Sequence, residues 1–120
     1  MVEPRKKALV VYETLFGNTR KVAEAVGVGL KDRFDVTVVD VLDANPSPEV
    51  ALLVVGGPIH AFSMSRLATR EEALKQAAKL GVAVEPHAIG IREWLERLGA
   101  TTAHPAAAAF DTAVRVGWFT

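Results

Sequence analysis

The sequence predicts a three-layer α/β fold, doubly wound around a parallel sheet, on three observations. Ala8–Tyr12 and Val50–Val55 are continuous β-prone apolar runs, the pattern of strands buried on both faces. Stretches of helical periodicity alternate with such runs along the chain. No link between strands carries a two-residue hairpin signal, so the strands are expected to run parallel and to be joined by crossovers.

Taken in order, Ala8-Leu9-Val10-Val11-Tyr12 is the first strand, and the polar turn Glu13–Thr19 follows it. The next stretch is helical, with Val22, Ala23, Val26 and Leu30 on one face and Arg20, Lys21, Glu24 and Lys31 elsewhere. Gly27 and Gly29 each weaken that helix by about 1 kcal/mol relative to alanine. The second strand is Asp35–Asp40, and Asn45-Pro46-Ser47-Pro48 then breaks the chain. Only a short link stands where a helix would join the second and third strands. Val50–Val55 is the third strand, closed by Gly56-Gly57-Pro58 and followed by a long loop, Ile59–Leu67. Thr69 and Glu72 have the spacing of a capping box, which predicts a helix from there to about Leu80, stopped by Gly81. A second helix, Ile91–Leu98, gathers Ile91, Trp94, Leu95 and Leu98 on one face and ends at Gly99. Pro105–Phe110 is divided: its alanines favour helix, and its place in the alternation favours a buried strand. Val114–Phe119 alternates roughly as a strand does.

At 120 residues, the chain is expected to form one domain, spanning 1–120. Fourteen basic residues balance fourteen acidic ones, which argues against a nucleic-acid or membrane-surface partner. The absence of cysteine excludes a disulfide framework, a thiolate metal site and a cysteine nucleophile, and suits a reducing cytoplasm. The basic opening Met1–Lys7 precedes an apolar run too short for a signal peptide or a membrane span. A cytoplasmic protein is expected.

In a parallel sheet of this class, ligands bind at the carboxyl ends of the strands. The informative loops are therefore Glu13–Thr19, Gly56–Arg66 and Asp111–Thr112. The first carries Thr14, Asn18 and Thr19, with Gly17 permitting close backbone approach, and it leads into a helix whose first N–H groups are free. Such a turn suits an anion, because unpaired amides and the helix dipole both favour negative charge, and Arg20 and Lys21 add positive potential. The alternative for such a turn is a polar N-cap that binds nothing. The chain has no Gly-x4-Gly-Lys-Ser/Thr phosphate loop and no three-glycine dinucleotide fingerprint. Without those glycines, Asp40 reads as a strand-end acid rather than a ribose ligand. Val55-Gly56-Gly57 stands where a phospho-receiver domain carries its acceptor aspartate.

Thr14-Leu15-Phe16-Gly17-Asn18-Thr19 resembles the phosphate loop of flavodoxins, Ser/Thr-x-Thr-Gly-x-Thr, with Phe16 where the middle threonine stands. Gly56-Gly57-Pro58-Ile59-His60-Ala61-Phe62 resembles that family's second loop, and Phe110-Asp111-Thr112 falls where its third flavin loop lies. The resemblance spans nearly the whole chain. It implies non-covalent FMN, with the phosphate on Thr14, Leu15, Phe16, Gly17, Asn18 and Thr19. The isoalloxazine ring would lie against Gly57, Pro58, Ile59, His60, Phe62 and Asp111. It further implies an electron carrier serving a redox partner protein. An oxidoreductase acting on a quinone or porphyrinogen, and a cofactor-free interaction module, are the alternatives.

No catalytic dyad is expected, because the redox chemistry belongs to the cofactor. Nor is a metal site, because His60, His87 and His104 are dispersed without paired spacing. His60 either contacts flavin or is a solvated loop histidine, and Trp94 belongs to the core. Arg66 and Arg70 read as a solvated helix start ahead of the alternative, attraction of an anionic ligand or partner. A full fold of the family has strand order 2-1-3-4-5 and a last helix. Here the last strand and helix are expected to be missing, which makes Ala106–Phe110 a sheet edge open to self-association.

Overall fold

The computed structural model describes residues 4–14, 17–60, 63–64, 67–80, 90–99 and 104–113. Its elements in chain order are β1 (Lys6–Tyr12), α1 (Asn18–Leu30), β2 (Phe34–Asp40), β3 (Leu52–His60), β4 (Ser63–Met64), α2 (Leu67–Leu80), α3 (Ile91–Glu96) and β5 (Ala106–Thr112). Four strands run parallel in the order β2-β1-β3-β5, and β4 pairs antiparallel with the end of β3.

Period-two alternation along β1 divides the core. Leu9 and Val11 pack with Val41, Leu53, and Ile91 and Trp94 of α3 on one face. Val10 and Tyr12 pack with Val54 and with Ala23 of α1 on the other. Helices therefore cover both faces of a parallel sheet whose order reverses beside β1, and the fold is three-layer, doubly wound and flavodoxin-like.

Asp40 caps a single 3-10 turn, Val41–Asp43, by accepting from the Leu42 amide at 3.0 Å, the strand-end role expected of it. The short link after it seats α3: the Trp94 indole donates to the Ala44 carbonyl at 3.3 Å, and the Gly99 amide to the Pro46 carbonyl at 2.7 Å. The divided segment Pro105–Phe110 is strand from Ala106 onward, in register from Leu52↔Ala106 to Pro58↔Thr112. Among the described residues β5 pairs only with β3, and its four alanines are exposed.

Several boundaries differ from the sequence-based expectation. Val22 is 39% exposed, and α1 buries Thr19, Ala23 and Gly27 instead. The buried face is set by a close approach to β2: a Cβ on Gly27 would lie 2.6 Å from Val38 Cγ2, so glycine here is a packing requirement. Gly56-Gly57-Pro58 does not close β3 but lies within it. The Gly56 carbonyl faces β1, accepting from the Glu13 amide at 2.9 Å. By alternation the nitrogen of Pro58 faces that same side, beyond the last β1–β3 pair, Tyr12↔Gly56.

Ile59–Leu67 is not one long loop, because Ile59↔Met64 and His60↔Ser63 are antiparallel pairs. α2 begins at Leu67, which places Thr69 inside its first turn rather than at the cap. α3 ends at Glu96, two residues before the expected end. The stop at Gly81 and the segment Val114–Phe119 lie outside the described residues. No helix among the described residues is long and apolar enough to cross a membrane.

Candidate functional site

The carboxyl ends of β1, β3 and β5 meet at the start of α1. β1 passes through Glu13 into Thr14, which is buried, and Thr14 Oγ1 accepts the Gly17 amide at 2.9 Å. Gly17 is the N-cap of α1 at φ 86°, a left-handed conformation that a Cβ would strain. It brings no capping side chain, and among the described residues no atom beyond its chain neighbours and its own helix backbone lies within 4 Å of where its Cβ would stand. The Lys21 amide closes the first turn on the Gly17 carbonyl at 3.2 Å. The preceding amides of Asn18 and Thr19 are among the donors that a helix start leaves without intrahelical partners.

Thr19, also buried, places Oγ1 2.8 Å from Thr112 Oγ1, joining α1 to the end of β5. Two hydroxyls sharing one hydrogen bond leave one O–H to give elsewhere. Thr14, accepting from Gly17, likewise keeps its own O–H. Arg20 donates from Nε to the Tyr12 hydroxyl at 3.2 Å, with its guanidinium 5.9 Å from the ring centroid. Lys21 is exposed. The turn thus gathers amides, hydroxyls and cationic side chains, the donor set an anion requires.

The second and third loops meet it through register: Gly57↔Asp111 and Pro58↔Thr112 are neighbours across β3 and β5. Gly57 and Pro58 are half-buried and Asp111 is exposed. A Cβ on Gly57 would stand 3.5 Å from Ile91 Cγ1 and 3.8 Å from Glu13 Cβ, so this position faces the α3 layer. Ile59 and His60 belong to β3, where only their backbone is described, and Leu15, Phe16 and Phe62 lie outside the described residues. Of the expected site residues, the structure therefore brings Thr14, Gly17, Asn18 and Thr19 together at the helix start. It aligns Gly57, Pro58 and Asp111 on the adjoining strand ends.

Three residues beside the site were misjudged or passed over in the sequence. Arg70 is not a solvated residue of a helix start: it is 1% exposed, and its Nη2 lies 2.6 Å from Glu93 Oε1. Glu13, expected in a polar turn, is equally buried, and its Oε1 accepts the Ile91 amide at 2.8 Å. Thr112 was placed in the third loop without a role, and no spacing rule links it to Thr19, 93 residues away.

No protein-family model matches the chain, and no curated protein matches it. Among solved structures it is similar to a flavodoxin from the domain Archaea, at 23% identity and a TM-score of 0.47, over 88% of this chain and 84% of that one.

Proposed function

We propose that this chain binds FMN without a covalent bond and carries electrons between protein partners. The observation that carries the reading is the start of α1. There, an uncapped helix N-terminus with a left-handed glycine N-cap stands beside the Thr14 hydroxyl and the Thr19–Thr112 hydroxyl pair, at the carboxyl end of the sheet. A phosphate near neutral pH is largely dianionic and needs several charge-assisted donors. The donor set fits that need: the amides of Asn18 and Thr19 and the spare hydroxyl protons of Thr14 and of the threonine pair would hold the phosphate. Gly57, Pro58 and Asp111 would line the ring, together with Ile59, His60 and Phe62, while Leu15 and Phe16 complete the phosphate loop. Bound FMN supplies the redox chemistry, and the protein's share is binding, orientation and electrostatics.

The fold's strand order supports the same location, because ligands of doubly wound sheets sit where the order reverses. A redox protein is the proposed partner. The functional test mixes FMN-reconstituted, anaerobically reduced protein with a one-electron protein acceptor. Stoichiometric oxidation of the flavin, with negligible steady-state consumption of NAD(P)H and a quinone, is the expected result. Sustained quinone turnover would instead make the chain an oxidoreductase.

A further inference from the structure

Two buried charged side chains and a half-buried third lie beside the candidate site, and the phosphate reading does not use them. Glu13 comes from the end of β1, Arg70 from α2 and Glu93 from α3. Glu13 and Arg70 are each 1% exposed. Glu93 Oε1 accepts from Arg70 Nη2 at 2.6 Å and from the Gly90 amide at 2.8 Å, while Glu13 Oε1 accepts the next amide, Ile91, at 2.8 Å. Glu13 and Arg70 both crowd Gly90, where a Cβ would overlap Glu13 Oε1 and Arg70 Nη1. Buried charges of this kind contribute little net stability compared with apolar side chains of similar volume, and what they add is direction.

That direction leads to the candidate site. The Glu13 backbone is pinned to β3 through the Gly56 carbonyl, and its side chain to the first amide of α3. The next residue, Thr14, holds the Gly17 amide, and the Gly17 carbonyl opens α1. Hydrogen bonds, linked by the chain neighbours Gly90–Ile91 and Glu13–Thr14, therefore join Arg70 and Glu93 to the start of α1 through Glu13.

We propose that Glu13 is a positioning residue of the candidate site: its buried carboxylate, anchored on α3 beside Arg70, fixes the strand end from which the Thr14–Gly17 turn springs. The mechanical claim concerns the protein without ligand. Its consequence for FMN rests on the reading given under Proposed function.

Amide hydrogen exchange on the full chain without flavin tests it. Glu13→Gln keeps an oxygen for the Ile91 amide, whereas Glu13→Leu keeps the volume and loses the acceptor. In Glu13→Leu the Gly17 amide is expected to exchange at least about tenfold faster, while Val10 and Val54 in the strand interior change less than about threefold. In Glu13→Gln, Gly17 stays near the parent value. Unchanged Gly17 exchange in Glu13→Leu, or an equal loss of protection at Gly17, Val10 and Val54, overturns the proposal. Should Glu13→Leu not fold, Gly90→Ala, whose methyl parts Glu13 from Arg70, is judged by the same three amides and the same criteria. FMN titration of the same samples keeps the two claims apart. A parent chain that ignores FMN sinks the flavin reading and leaves the exchange result to decide the role of Glu13.

Discussion

Thr19 Oγ1 and Thr112 Oγ1 stand 2.8 Å apart, a hydroxyl pair that ties the first turn of α1 to the last residue of β5. It unites two of the three strand-end loops, and it predicts how ligand affinity divides. A charge-assisted hydrogen bond to phosphate is worth about 1.5–3 kcal/mol. Thr19→Ala is therefore expected to weaken FMN at least about tenfold and to leave riboflavin, which lacks the phosphate, nearly unchanged. Equal losses for the two flavins, measured by fluorescence titration, would place the phosphate elsewhere.

The two glycines of α1 should respond to alanine with opposite signs. At Gly29 no described atom beyond its chain neighbours and its own helix backbone lies within 4 Å of the new methyl, so Gly29→Ala gains helix propensity and stabilises by about 0.5–1 kcal/mol. At Gly27 the methyl meets Val38 Cγ2 at 2.6 Å, on a side chain that is stiff at χ1. Overpacking of about 1–3 kcal/mol then outweighs the propensity gain, and Gly27→Ala destabilises. Urea denaturation of the two variants provides the comparison. A stabilised Gly27→Ala would mean that α1 does not approach β2 as described.

Gly56 and Phe110 form a second packing pair, across β3 and β5. The Phe110 ring occupies the space of a side chain at position 56, so a Cβ there would overlap it. Gly56→Ala is expected to cost about 1–3 kcal/mol, and Phe110→Leu in the same chain to recover part of that loss. A double-mutant cycle by thermal or urea unfolding measures the coupling. Strict additivity of the two changes would contradict the contact.

Much of the fold was legible because apolar runs and turn residues act locally. Ala8–Tyr12 and Val50–Val55 need no distant partner to read as buried strands, although β3 begins only at Leu52, and Trp94 on an apolar helical face reads as core. Gly-Gly-Pro misled because glycine and proline usually stop a strand. Here the Phe110 ring fills the space over Gly56, and Pro58 lies beyond the last β1 pair. The expected site residues Thr14, Gly17, Asn18 and Thr19 were visible as a loop motif.

Glu13 and Arg70 were not legible in the sequence. Whether a charged side chain is buried is decided by its partners, and these lie far along the chain: Ile91 is 78 residues from Glu13, and Glu93 is 23 from Arg70. The face of α1 was misjudged for a related reason. Val22 looked like core by type, whereas Gly27 became core because β2 approaches it closely.

The central claim is that the start of α1 holds the phosphate of FMN, and titration of the purified chain with FMN and riboflavin in parallel tests it most directly. The account predicts that FMN fluorescence changes with saturable one-to-one binding, and that riboflavin binds at least about a hundredfold more weakly, as loss of several charge-assisted bonds requires. FMN fluorescence and absorbance unchanged by the protein, or equal affinity for the two flavins, would contradict it.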